Sequence, residues 1–239
     1  MSTHNYTFNV KSYETDNNGL FKPYSFLNHA QEIAGNHALD LGFGYDSLNE
    51  SGTAWVLSRI HIKYFRHPIW REELSLKTWH KGGDKLFGYR DFVVTDQSGE
   101  AVIKATSSWL IINKKTRRVQ RIDSLLGENF KGSIPENAIE NPAERLSTPL
   151  NVQFACKRVV SISDIDINQH TNNAKYLEWA LDALESEVSQ NIKIKELTIN
   201  FNNESLLGQE IDISSCYSPS IFVEGTRDGK SVFQLQIIT

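Results

Sequence analysis

The stretch SDIDINQHTNN at 163–173 carries the densest set of groups able to do acid–base work. Asp166, Asn168 and His170 alternate within it, so an extended backbone would turn all three side chains to one side. A carboxylate, an amide and an imidazole on one face can activate a water and orient a carbonyl. The stretch ends at Asn172 and Asn173, directly before a helical pattern. Free N–H groups at a helix start polarise a carbonyl or hold an anion, which would make Asn172 and Asn173 the oxyanion end of a site. An Asx-rich turn that simply caps the helix, with Asn172 or Asn173 as the cap, fits the same residues. Spacing alone leaves both readings open.

A second marked run, KKTRRVQR at 114–121, holds Lys114, Lys115, Arg117, Arg118 and Arg121 in a chain whose net charge is -4. It reads either as a solvated strand end or as a local dock for an acidic partner. The overall acidic balance argues against nucleic acid as that partner. Cys156 and Cys216 are too few for a disulfide scaffold, and neither they nor the seven histidines show a metal-clip spacing. No metal or other cofactor is expected, and a reducing, cytoplasmic setting is the simplest expectation. The longest apolar run, WLII at 109–112, is far short of the roughly 20 residues of a membrane span. The first residues lack a basic stretch followed by an apolar one, so no secretory signal is expected. His29, His37, His61 and His80 read as surface or structural. Trp55, Trp70, Trp79, Trp109 and Trp179 read as core or tunnel-wall residues.

Elements must hold these groups in place. Residues 24–41 place Phe26, Leu27, Ala30, Ile33, Ala34, Ala38 and Leu41 on one helical face, with Pro23 at the start and Gly42 at the stop. Strand-like segments follow at 56–65, 73–80, 87–95 and 102–112, with a turn signal at 96–99. The stretch 123–151, with Gly127, Gly132, Pro135, Pro142 and Pro149, reads as a linker between a half at 1–122 and a half at 152–239. The second half predicts a strand at 158–163 and a helix at 173–189. Further strands are predicted at 194–202, 210–217, 221–226 and 231–238, with a hairpin signal at Asp228 and Gly229.

The two halves repeat. An offset of 150 pairs Asp16 with Asp166, Asn18 with Asn168, Phe26 with Tyr176 and Ala30 with Ala180. An offset of 137 pairs Ile62 with Ile199, Tyr64 with Phe201 and Glu73 with Glu210. The difference is 13 residues (150 less 137), the length of the loop at 42–54. Two of the positions that differ bear on chemistry. Leu20 stands opposite His170, and His67 stands opposite Glu204. An α+β fold follows, each half a long helix wrapped by an antiparallel sheet, with a polar set in one half only.

Three segments, DIDINQHTNNAKYLEW at 164–179, TSSWLIINKKTRRVQRI at 106–122 and KELTINFNNES at 195–205, resemble the signatures of the acyl-acyl-carrier-protein thioesterases of plant plastids and their bacterial relatives. The resemblance implies a tandem (double) hotdog fold. It implies Asp166, Asn168 and His170 as catalytic residues with Glu204 as the acidic partner, and hydrolysis of a fatty acyl thioester carried by acyl-carrier protein. In the plant enzymes a cysteine often follows that glutamate, whereas Ser205 stands here, which speaks against a thiol mechanism and leaves two routes open, a water activated by His170 or Glu204 and a covalent anhydride on a carboxylate. The basic run at 114–121 then becomes a dock for the acidic carrier protein. A bacterial, cytoplasmic protein is the expected setting, with a homodimer as one option for its assembly. Another hotdog activity, on acyl-CoA or as a 3-hydroxyacyl dehydratase, and a non-catalytic acyl-thioester-binding protein are the alternatives.

Overall fold

The computed structural model describes residues 3–127, 134 and 136–239, which divide into two compact units, Met1–Ala143 and Glu144–Thr239. Gly132 and Pro135 of the expected linker lie outside the described residues.

In the first unit β1 (His4–Asn9) leads through a 3-10 turn to α1 (Pro23–Asp40) and a short α2 (Tyr45–Glu50). Then come β2 (Thr53–Tyr64), β3 (Glu73–Gly83), β4 (Phe87–Thr95), β5 (Ala101–Asn113), β6 (Val119–Gln120) and α3 (Ile122–Leu126). The strands are antiparallel in the order β1-β3-β4-β5-β2, with β6 beside β5. Phe26, Leu27, Ala30, Ile33 and Ala34 are the buried face of α1, which packs on β1 and β3. Phe26 meets Phe92 of β4 edge to face at 6.4 Å. A helix stripe this apolar is stable only under a sheet, and the alternation of β3 and β4 supplies the facing side chains.

The second unit repeats the plan. It runs β7 (Gln153–Val159), a 3-10 turn, α4 (Asn173–Asp182), α5 (Ser186–Asn191), β8 (Glu196–Phe201), β9 (Glu210–Cys216), β10 (Ile221–Arg227) and β11 (Lys230–Ile238). The order β7-β9-β10-β11-β8 is the first unit's order once more. Each unit is a hotdog. The 150 offset carries 3-10 turn Ser12–Glu14 onto Ile162–Asp164, and bridge Thr15 to Phe21 onto Ile165 to Thr171.

Several expectations need correction. The helix predicted over 173–189 stops at Asp182, because the Glu185 N–H turns aside to the Tyr217 hydroxyl at 2.9 Å and α5 starts afresh. The strand predicted at 158–163 is displaced N-terminally to β7, and its apolar end forms the 3-10 turn. β1 escaped notice because only Phe8 of its six residues is buried. Trp70 is exposed, its ring covered by the Arg71 guanidinium at 4.0 Å, so it is not a core residue.

Much of the stretch at 123–151 is tied down. α3 packs Ile122 against Leu48 and Ile111. The Trp79 indole N–H donates to the Glu136 carbonyl at 2.9 Å, and buried Asp91 accepts from the Ala138 N–H at 2.7 Å and from Lys81 at 3.1 Å. In the second unit Asn200 accepts from the Leu146 N–H at 2.8 Å and donates to the Glu144 carbonyl at 2.9 Å.

One glycine matters for the helix that carries the site. A Cβ on Gly225 of β10 would lie 2.2 Å from the ring of buried Phe233, and that ring supports Tyr176 of α4 at 5.4 Å. Neither the sheet backbone nor the enclosed ring can give way cheaply. Gly225→Ala is expected to destabilise the chain by about 1–3 kcal/mol, the usual cost of overpacking a core. Denaturant unfolding checks this, and an unchanged midpoint would show that the ring has room to move.

Candidate active site

The residues at 161–172 do not form an extended segment. They close into a tight loop, and the expected one-sided alternation of Asp166, Asn168 and His170 is corrected accordingly. The Ser161 N–H donates to Asp164 at 2.8 Å, which starts the 3-10 turn. The Asp166 N–H donates to the His170 carbonyl at 2.9 Å and the Gln169 N–H to the Asp166 carbonyl at 3.0 Å, with Gln169 at φ 64°. The Asp166 carboxylate sits inside this loop. Its Oδ1 accepts from the Asn168 N–H at 2.8 Å and the His170 N–H at 3.5 Å, and its Oδ2 from the Asn168 amide at 3.5 Å. Short polar side chains favour such Asx turns because they satisfy backbone donors two residues on.

The first unit builds the same loop. Asp16 accepts from the Asn18 N–H at 2.8 Å and the Leu20 N–H at 2.9 Å, and Gly19 takes φ 75° where Gln169 stands. The aspartate therefore holds the turn whether or not an imidazole follows. What the second unit adds is the imidazole.

The loop after β8 brings the partner. The Thr171 N–H donates to the Ser205 carbonyl at 3.0 Å, and Val160 exchanges bonds with Gln209 and Gly208 at 2.9 Å each. Arg227 donates to the Glu204 carbonyl at 2.9 Å and to the Gln209 side chain. These ties place His170 Nε2 3.1 Å from Glu204 Oε2, with the side chains 29% and 38% exposed. An ion pair this exposed contributes about 0–1 kcal/mol, too little to explain its place as a stabilising device. Water reaches it. A carboxylate at this distance can accept a proton carried on Nε2, so the pair can hold and pass one.

Asn172 is the N-cap of α4. Its side-chain oxygen accepts from the Ala174 N–H at 2.9 Å, and its carbonyl from the Lys175 N–H at 2.9 Å. Asn173 is the first helical residue. Ser205 is fully buried and bonded to Thr171 and Tyr176 at 2.8 Å each. Spacing gave no hint of this trio of hydroxyls, because Ser205 lies 29 and 34 residues from the other two. Burial pushes the Cys156 thiol up, away from the thiolate, and Cys216 is a buried free thiol on β9.

The basic run forms the tight connection between β5 and β6. Asn113 Oδ1 accepts from the N–H groups of Lys115 at 3.1 Å and Thr116 at 2.8 Å, and Arg117 adopts φ 59°. Lys114 is engaged locally, donating to Asn49 at 2.6 Å above the Tyr45 ring. Arg121 pairs with Asp123 at 2.6 Å and holds that carboxyl down at about 2. Lys115, Arg117 and Arg118 present exposed side chains.

Comparison with known proteins gives the family. Residues 1–128 match the acyl-ACP thioesterase N-terminal domain and residues 148–237 the C-terminal domain. Oleoyl-acyl carrier protein thioesterase 2 of Arabidopsis thaliana is 27% identical over 219 residues, covering 82% of this chain and 58% of that protein. The chain spans about half to two thirds of the length of the curated plant relatives it matches. A solved acyl-ACP thioesterase from Bacteroides thetaiotaomicron is 32% identical, with a TM-score of 0.86 over 100% of this chain and 99% of that one. The 12:0-ACP thioesterase of Umbellularia californica shares the fold at 24% identity, with a TM-score of 0.85 over 98% of this chain and 96% of that one. Both halves of the chain, with the turn before α4 that bears His170, fall inside these matches, and the chain belongs to the acyl-ACP thioesterase family.

Proposed function

We propose that this protein hydrolyses the thioester of fatty acyl-acyl-carrier protein, releasing a free fatty acid and the carrier thiol and so ending chain elongation. The observation that carries the reading is the 3.1 Å contact of His170 with Glu204 in the half that matches the family's C-terminal domain. In this reading a water attacks the thioester carbonyl carbon as it passes a proton to the His170–Glu204 pair. The tetrahedral intermediate collapses, the C–S bond breaks, and the pair returns the proton to the leaving thiolate. The Asn168 amide donates to the water or to the carbonyl oxygen, and the positive end of α4 at Asn172 and Asn173 favours the developing oxyanion. Asp166 holds the loop that presents both.

The carrier protein supplies the second half of the proposal. Lys115, Arg117 and Arg118 steer an acidic carrier that the net charge of -4 would otherwise repel.

Three measurements test this. His170→Ala and Glu204→Ala should each lower kcat by roughly 10²-fold or more on acyl-carrier protein substrates, and the double variant should lose less than the product of the two. Near-full turnover in either folded single variant removes that residue from the reaction, and faster turnover on acyl-CoA than on acyl-carrier protein reassigns the substrate. The cysteines are expected to be dispensable, so Cys156→Ala with Cys216→Ala should keep most activity and thiol alkylation should inhibit little. Loss of turnover in that folded variant would restore a thiol mechanism. Reversing charge at Lys115, Arg117 and Arg118 should lower kcat/KM on acyl-carrier protein and leave a small acyl thioester unaffected. The loss should shrink with salt, since exposed charges are screened over about 8–10 Å near physiological ionic strength. Equal loss on both substrates would mean that the run supports the fold.

A further inference from the structure

His170 is followed directly by Thr171, and Glu204 directly by Ser205. These two followers are bonded to each other, and Ser205 is bonded in turn to Tyr176 of α4. The Thr171 hydroxyl donates to the Ser205 carbonyl at 3.1 Å and lies 2.8 Å from Ser205 Oγ. Ser205 Oγ lies 2.8 Å from the Tyr176 hydroxyl, which accepts the Ser205 N–H at 2.9 Å. All three residues are buried.

Each hydroxyl has one proton, and that count fixes the direction of the network. Thr171 spends its proton on the Ser205 carbonyl, so Ser205 Oγ donates to Thr171. Tyr176 then donates to Ser205 Oγ. Burial raises the Tyr176 phenol, which keeps that proton in place at neutral pH. The serine hydroxyl is consumed in this chain and is not held ready as a nucleophile.

The first unit is an internal control. Thr171, Tyr176 and Ser205 correspond there to Phe21, Phe26 and Pro68. That unit makes the same loop and the same backbone tie, Phe21 N–H to the Pro68 carbonyl at 2.8 Å, with no hydroxyl at the three places. The scaffold therefore folds without them. They occur in the half that has His170 and Glu204 where the other has Leu20 and His67. The exposed ion pair is too weak to hold two loops in register by itself. The four buried hydrogen bonds through these hydroxyls can do so together.

We propose that Thr171, Tyr176 and Ser205 form a latch that holds His170 and Glu204 at bonding distance, as positioning residues for the hydrolysis. The proposal rests on the reading of that pair as the catalytic one. A loss of register of about 1 Å can cost up to about 10²-fold in rate. Tyr176→Phe removes the donor to Ser205 Oγ and the acceptor of its N–H. Thr171→Val cuts the chain at its other end with almost no change of shape.

The test is a cycle on acyl-carrier protein substrate. Tyr176→Phe and Thr171→Val should each lower kcat about tenfold with KM within about twofold, and Thr171→Ser should restore most of it. In a Glu204→Gln background the same substitutions should cost less than about twofold, because what they position is already gone. The NMR titration of His170 should move in the direction that Glu204→Gln moves it, since a nearby carboxylate favours the charged ring. Equal losses in both backgrounds, or full turnover with an unmoved titration in Tyr176→Phe and Thr171→Val, overturns the latch while His170→Ala remains inactive. Full turnover in His170→Ala and Glu204→Gln overturns the catalytic reading, and the latch with it.

Discussion

The backbone hydrogen bond from the Thr171 N–H to the Ser205 carbonyl, 3.0 Å long, helps fasten two segments that lie 34 residues apart in the chain. Each segment is orderly by itself. The loop at 161–172 is held by its own aspartates, and the segment after β8 by Arg227 and Gln209. Neither alone brings an imidazole to a carboxylate. The sheet does, because β7 and β8 lie at opposite ends of the order β7-β9-β10-β11-β8, and the helix α4 lies on β10 and β11 between them. A curved sheet wrapped on a helix closes that distance, and the tie at Thr171 fixes the register.

The apolar side of the design follows from the same constraint. α4 presents Ala174, Tyr176, Leu177, Trp179 and Ala180 inward. Tyr176 meets Trp179 edge to face at 5.4 Å and Phe233 at the same distance. An aromatic with a polar tip suits this place, since its ring fills the core while its hydroxyl reaches the buried end of the loop. Gly225 lets Phe233 lie flat enough to carry it.

Much of this was legible in the chain. The helical stripe of α1, the places of β3 to β5 and β8 to β11, and the two offsets were open to reading because burial forces periodicity. His170 and Glu204 stood out because the first half has Leu20 and His67 at the matching places. The bent form of the loop was less open to reading. Alternating polar residues look the same in a strand and in an Asx turn, and the difference lies in backbone bonds to Asp166. β1 and β7 bury too little to leave an alternation. The early end of α4 depends on Tyr217, over thirty residues away from Glu185. The ties of the stretch at 123–151 to Trp79, Asp91 and Asn200 are long-range polar contacts, and prolines in sequence say nothing of such contacts.

The repeated loop has a consequence for the way the chemistry is counted. Two identical chains related by a two-fold axis must place every residue twice, so a histidine at one loop is a histidine at both. Here the two loops are written separately in one chain, and Leu20 and His170 occupy matching places. Symmetry no longer dictates stoichiometry. One copy can keep the turn as pure architecture and drift in its side chains, while the other is held to the demands of a proton. A repeat written within one chain leaves its two halves free to differ, as Leu20 and His170 do.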